Sequence, residues 1–434
     1  DNETKLLVKI DGFAGDLQID KDKKFLFVNS NGTPMKIEIA TNKLSPIKFN
    51  AELETNYPRE RDYMFEHMWR QVEKKFYDPN LHGVDWKFYK SEYARFLPHI
   101  NNNFDFAEMM SELLGELNAS HTGCRYRPKP ENADQTAALG VFLDYNFDGK
   151  GVKIIEITDN APLVKDNSKV QPGCIVEKID GIAIDCNSDY YKMLNHKADK
   201  LTLLSFYNPQ NGERWEESVK PISRSIESEL IYKRWVRKNN ATVEKISNGR
   251  IGYVHVRGMD SQSFREVYSD ILGKHRNKEA IIVDTRFNGG GWLHDDLATL
   301  LSGKRYVDFV PRGQLIGSEP ISKWYKPSVV IISEGNYSDA HGFPYVYKTL
   351  GVGKLVGMPI AGTMTAVWWE SQVDPTLVFG IPQMGVKDLN GKYLENQQLN
   401  PDIKVAISPE EAQSGVDSQL VKAVEELLLE LNQK

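Results

Sequence analysis

The chain has 434 residues, 40% hydrophobic and 10% aromatic, with 54 basic against 60 acidic side chains and a net charge of -6. That is apolar material for about three domains, and it excludes a collagen-like or disordered chain. The interspersed, slightly acidic charge lacks the basic footprint of a nucleic-acid surface, and no stretch reaches the ~20 apolar residues of a membrane helix.

Cys124, Cys174 and Cys186 show no C-x-x-C spacing. Cys174 and Cys186 are near enough in sequence to pair, but the odd total favours buried thiols over a disulfide framework, a zinc site or a redox pair. The chain opens on Asp1 with no visible signal peptide. The true start is expected to have been removed, which leaves the compartment of this soluble chain open between cytoplasmic and periplasmic or secreted after removal of an N-terminal signal.

Residues 1–50 alternate short apolar runs (LLVKI, DLQI, KFLFV, MKIEIA) with turn clusters such as Asn31-Gly32 and Thr41-Asn42. They predict four short strands resembling one blade of a β-propeller. Because a blade buries its face against neighbouring blades, an upstream propeller is expected.

Residues 51–125 turn helical. Tyr63, His67, Trp69, Val72 and Phe76 keep helical spacing, and Asp85 is placed to cap a second helix. A third helix, Phe104 to Leu117, breaks at Asn118 and delivers Ser120-His121 to a loop.

Residues 126–225 return to short strands. The phrases LGVFLDY, VKIIEITDNAPLVKDN and VQPGCIVEKIDGIAI resemble a PDZ domain. That resemblance implies capture of an extended peptide by strand addition, with the carboxylate-binding turn at Leu139-Gly140-Val141-Phe142. From 226 to 434, buried strands (GRIGYVHV, EAIIVDTRF, PSVVIISE, GKLVG, TLVFG) alternate with helices near 261–275, 292–303, 338–350 and 410–432. This predicts an α/β layered domain. The whole reads as a multidomain α+β chain.

Nucleophiles favour strand–turn–helix transitions. Val329 to Ser333 reads as a buried strand, Glu334 to Tyr337 as a turn, and Ser338 stands at a helix start, where the helix N-terminus favours developing negative charge. The competing reading is an ordinary N-cap serine. After the strand Ala280–Asp284, the run Asn288-Gly289-Gly290-Gly291 exposes backbone N–H groups of the kind an oxyanion hole requires. The phosphate-loop pattern is absent, and 351–357 is a poor dinucleotide match. There are nine histidines. His341 lies three residues after Ser338, His294 follows the glycines and His121 sits beside Ser120; residue reasoning alone leaves the base open among them. H-E-x-x-H and clustered metal ligands are absent, so neither metal nor organic cofactor is expected.

In chain order, ELNASHTG, IIVDTRFNGGGW, SEGNYSDAHGFPYVYKTLGVGKLVG and LENQQLNPDI resemble tricorn protease, within the C-terminal-processing serine peptidases. The helix DWKFYKSEYARFLP and the PDZ-like segment agree, and coverage runs from about 58 to the end. The resemblance implies Ser338 as nucleophile, His121 as general base and Ser120 bridging His121 to Glu395. The oxyanion would rest on Asp339 and one of Gly290 or Gly291. It further implies hydrolysis of peptides or unfolded chain ends without a cofactor, and a homo-oligomer. The segment 303–318 is expected to shape specificity, with Asp308 placed to select a basic side chain. Some members use a Ser–Lys dyad, for which Lys348 and Lys354 are the available lysines. The rival readings are an inactive peptide-binding PDZ scaffold and a crotonase-type acyl-CoA enzyme.

Overall fold

The computed structural model describes residues 4–52, 54–185 and 189–433. It divides into two compact units, Asp1–Glu60 and Arg61–Lys434. The first unit holds an antiparallel meander: β1 (Ala14–Ile19), β2 (Phe25–Ser30), β3 (Thr33–Glu38) and β4 (Lys43–Pro46), each paired with the next. Asn31 and Gly32, both at positive φ, form the two-residue hairpin between β2 and β3, as a turn matching strand twist demands. Four strands are present as expected, but displaced along the chain. LLVKI forms no strand, and Leu6 is 83% exposed; the fourth strand is KLSP, beyond the Thr41-Asn42 turn.

The division falls in the first turn of α1 (Tyr57–Lys75), which α2 (Trp86–Ala94) and α3 (Asn103–Gly115) follow. Asp85 caps α2 by accepting from the Phe88 N–H at 3.0 Å, and Asn102 caps α3 by accepting from Asp105. Met68, Val72, Met110, Leu113 and Leu114 close a core between these helices. Then come β5 (Cys124–Tyr126), β6 (Val141–Leu143), β7 (Val152–Ile157), β8 (Ile175–Ile179), β9 (Ile182–Ala183), β10 (Thr202–Tyr207) and β11 (Arg214–Val219). Strands β6 to β11 make one antiparallel sheet, ordered β11-β10-β8-β7-β6 with β9 on β8, over a core of its own. Cys124 and Cys174 are buried free thiols; Cys186 lies outside the described residues.

The sequence reading passes over α4 (Arg224–Ile246), a 23-residue helix that Ser223 caps. Only Asn239 and Val243 of it are buried, so its apolar stripe is too thin to stand out from the sequence. The chain continues through β12 (Ile251–His255), α5 (Ser261–Ser269), β13 (Ala280–Asp284), α6 (His294–Leu301), β14 (Val307–Phe309), β15 (Gly317–Glu319), β16 (Ser328–Ile332), α7 (Asp339–Thr349) and β17 (Lys354–Gly357). After β18 (Thr365–Ser371), β19 (Leu377–Gly385) and β20 (Ile403–Lys404), it ends in α8 (Pro409–Ser414) and α9 (Ser418–Gln433).

Strands β12-β13-β16-β17-β20 form a parallel sheet. Every residue of β13 and β16 is buried, as expected of parallel strands covered on both faces. Residues of α5, α6 and α7 pack on one face, and those of α4 and α9 on the other. The segment TLVFG, read as a strand of the α/β domain, instead lies in β19 of an antiparallel sheet, β18-β19-β5. There Leu377, Phe379 and Ile381 enter the core of the helical layer. In open parallel sheets, ligands bind beyond the carboxyl ends of the strands. Here the ends of β12, β13 and β16 lead to Met259, the NGGG run and Ser338.

Candidate active site

Ser338 begins α7 in a strained conformation, φ 56° and ψ -126°. Its side chain makes no capping bond to the helix, which removes the ordinary N-cap reading. A sharp strand-to-helix turn of this kind lifts a serine hydroxyl clear of the sheet. The turn is held from behind: the Ser338 N–H donates to Thr363 Oγ1 at 3.0 Å, and Asn336 ties the turn to Thr285 and Ala340.

The glycine loop lies against this turn. A Cβ on Gly290 would fall 2.5 Å from the Ser338 Cβ, and one on Gly291 would fall 2.1 Å from the Met259 carbonyl. Both glycines also sit at positive φ, 96° and 143°, so no side chain is tolerated. Asn288, fully buried, accepts the Gly290 N–H at 2.9 Å and donates to the Val256 carbonyl at 2.8 Å. The bridge to Met259 uses the Gly290 carbonyl and the Trp292 N–H, leaving the Gly291 amide out of it.

Asp339, 1% exposed, accepts from the Leu293 N–H at 2.5 Å and the His294 N–H at 3.1 Å, and pairs with His294 Nδ1. This pairing raises the His294 pKa. The same carboxylate therefore fastens the glycine loop to the residue after Ser338.

His121 arrives from the loop after α3, at φ 61°. Its N–H donates to the Tyr337 hydroxyl at 2.7 Å, and the two rings pack with centres 4.7 Å apart. The imidazole is thus clamped to the residue that precedes Ser338. Ser120 Oγ lies 2.8 Å from His121 Nδ1 and donates to Glu395 Oε2 at 3.0 Å; the Ser120 N–H donates to Glu395 Oε1 at 2.5 Å. With its own proton on the carboxylate, the hydroxyl accepts from Nδ1–H. That protonates Nδ1 and leaves Nε2 with a free lone pair. Burial lowers the His121 pKa to about 4. Glu395 is 4% exposed; burial raises its pKa, opposed by the Ser120 hydrogen bonds.

Ser338, His121, Gly290, Gly291 and Asp339 all line one cleft of about 510 Å³. Ser120 and Glu395 stand behind His121. Sequence reasoning missed Thr365, whose Oγ1 lies 2.9 Å from His121 Nδ1 and 3.1 Å from Ser120 Oγ. It also missed Tyr337, Asn288 and Thr363. Thr365, Tyr337 and Thr363 act through partners far off in sequence, so no local signal marks them; Asn288 stands in the glycine run itself, but its second partner, the Val256 carbonyl, is equally remote.

The other histidines fall elsewhere. His341, 1% exposed, accepts from the Thr363 N–H at 3.4 Å, and His294 is taken by Asp339. Asp308 does not line the cleft; Arg305 and Ser318 hold its carboxylate. Lys348 pairs with Asp402 and Lys354 with Glu426. The PDZ-like turn is apart from the serine. Leu139, Val141 and Phe142 line a separate cavity of about 190 Å³ beside β6, an edge strand, while Gly140 at φ 67° packs on Ala161. Among the described residues no group of His, Cys, Asp and Glu is placed to hold a metal, and no helix is long and apolar enough to cross a membrane.

A parallel-sheet domain that puts a serine at a strained turn, a glycine loop and a tautomer-fixed histidine into one cleft has the build of a serine peptidase. Residues 250–405 match the model of peptidase family S41, and residues 57–115 that of the tricorn protease C1 domain. The chain is 27% identical over its full length to a tricorn-like protease C-terminal subunit of Sulfurisphaera tokodaii, covering 52% of that protein. It is 27% identical, over 89% of its length, to a tricorn protease homolog of Saccharolobus solfataricus, covering 36% of it. The chain thus spans about half or less of these relatives. The crystal structure of the tricorn protease superposes on 96% of this chain and 41% of its own, with a TM-score of 0.84 at 21% identity. By these matches the chain is similar to the tricorn-type serine peptidases and, over residues 250–405, to peptidase family S41.

Proposed function

We propose that this chain hydrolyses peptide bonds through an acyl-enzyme, with Ser338 as nucleophile and His121 as base. The observation that carries this reading is the linkage Glu395–Ser120–His121 in the cleft that Ser338 lines. His121 Nε2 takes the Ser338 proton as Oγ attacks the carbonyl carbon, then delivers it to the leaving amine; water repeats the sequence on the ester. The amides of Asp339 and Gly291 receive the oxyanion, because the Gly290 N–H is held by Asn288. Substrates on this reading are peptides or unfolded chain ends.

The sheet of β6–β11, with its exposed edge β6 and adjoining cavity, supports a PDZ-like module that captures an extended segment. The meander of residues 1–50 supports a propeller-blade origin, the divisions at about 50, 125 and 225 follow from these modules, and the tricorn likeness supports a homo-oligomer. Labelling with a fluorophosphonate probe tests the core of the reading. Ser338 in the intact chain is expected to label, with labelling lost in both Ser338→Ala and His121→Ala. A folded Ser338→Ala chain that still labels and hydrolyses peptides would overturn it.

A further inference from the structure

Side chains alternate across a strand, so the short sheet β18-β19-β5 has two distinct faces. Cys124, Leu377, Phe379 and Ile381 enter the helical core. Arg125, beside Cys124, and Trp369, paired with Gly380, turn to the opposite face and line the cleft. A Cβ on Gly380 would fall 2.9 Å from the Trp369 ring, so the bare glycine is what lets the indole lie across the strand. The Arg125 guanidinium stacks on that indole, 4.2 Å from the ring centre. Stacking holds its plane while leaving its edge donors open. Of the charged side chains lining the cleft, Asp339 is taken by His294 and two amides. Arg125 has no carboxylate partner among the described residues.

A guanidinium held at the wall of a peptide-cleaving cleft, with its fork unpaired, fits a substrate carboxylate. His121 returns its proton to the leaving amine, so the departing half of the substrate lies on the histidine side. Arg125 belongs to that side, because Gly380 lies against both the His121 carbonyl and the Trp369 indole on which the guanidinium stacks. A chain-terminal carboxylate is ordinarily captured in a nest of backbone N–H groups. None is offered here, because the backbone around Arg125 belongs to the ladder with β19 and to the Arg127 N–H bond to the Thr376 carbonyl.

We infer that Arg125 selects substrates bearing an aspartate or glutamate side chain on the leaving side of the scissile bond. The inference rests on the peptidase reading above. The test uses the intact chain and C-terminally amidated, quenched fluorescent peptides carrying Glu or Gln at each of the first three leaving-side positions. At one position the Glu peptide is expected to exceed its Gln twin in kcat/KM by roughly 10- to 100-fold, the range of one charge-assisted pair. Arg125→Gln should bring that ratio to about one, and Arg125→Glu should invert it in favour of a Lys peptide.

Equal rates in the unmodified chain, or a preference that survives Arg125→Gln, would overturn the inference. So would a loss of turnover caused by amidation alone, which would mean that the arginine holds a chain end. If no peptide is turned over, binding of the same pairs to Ser338→Ala, read by fluorescence anisotropy, decides the matter on the same ratios. Fluorophosphonate labelling separately reports whether the peptidase reading itself has failed.

Discussion

Removing the Ser120 hydroxyl probes the site most sharply, because His121 Nδ1 has two oxygens within reach. Ser120 Oγ stands at 2.8 Å and Thr365 Oγ1 at 2.9 Å. In Ser120→Ala, Glu395 keeps the Ser120 N–H at 2.5 Å but loses the hydroxyl. Nδ1–H keeps Thr365 as an acceptor, so the tautomer survives while its link to the carboxylate is cut. A hydrogen bond to a charged group contributes about 1.5–3 kcal/mol, and about 1.4 kcal/mol is tenfold in rate. The expected loss in kcat/KM is therefore roughly 10- to 100-fold. A triad whose histidine is left in the wrong tautomer loses on the order of 10⁴. Ser120→Ala combined with Thr365→Val, which removes both acceptors, is expected to approach that figure.

The assay is kcat/KM on a quenched fluorescent peptide, together with the rate of fluorophosphonate labelling; thermal melts establish that each variant is folded. If Ser120→Ala alone costs as much as the pair, Thr365 supplies nothing. If it costs less than about threefold, the Glu395 linkage is irrelevant to the base, and the reasoning fails.

Two further outcomes follow from the same geometry. On the proposed reading the neutral form of His121 is the base, and burial lowers its pKa to about 4; activity should therefore persist at pH 5–6 and fall only as pH drops through about 4. A labelling rate with its midpoint near the ordinary histidine value of about 6.5 would contradict this. Gly290→Ala would set a Cβ 2.5 Å from that of Ser338 at φ 96°, with a predicted loss of on the order of 10²–10³ in kcat as the oxyanion donors shift. At Gly289 a Cβ meets nothing within 4 Å, so Gly289→Ala should cost no more than a few-fold; equal losses in the two variants would show that the close approach at Gly290 is unimportant.

Several parts of this site are legible in the chain because they are local. The β-branched run Val329–Ile332 followed by a turn announces a buried strand delivering Ser338, and the three glycines after Asp284 announce exposed amides. Asp85 marks the start of its helix, and Asn118, at positive φ just past the Gly115 end of the third helix, marks the turn that frees Ser120-His121. Periodicity and backbone preference act over a few residues, so such features survive in one dimension. The helix α4 did not stand out, since it buries too little of itself to print a stripe.

The surroundings of the three candidate histidines, by contrast, depend on tertiary structure. His121 reaches the Ser338 turn through Tyr337, Glu395 is buried where the loops carrying it and Ser120 close on each other, and His294 and His341 are consumed in holding Asp339 and Thr363. The buried Asn288 couples both levels: it accepts from Gly290, two residues on, while donating to the Val256 carbonyl on a neighbouring segment. Hydrogen bonds and burial depend on distances through space, and the chain order carries those distances only after it has folded.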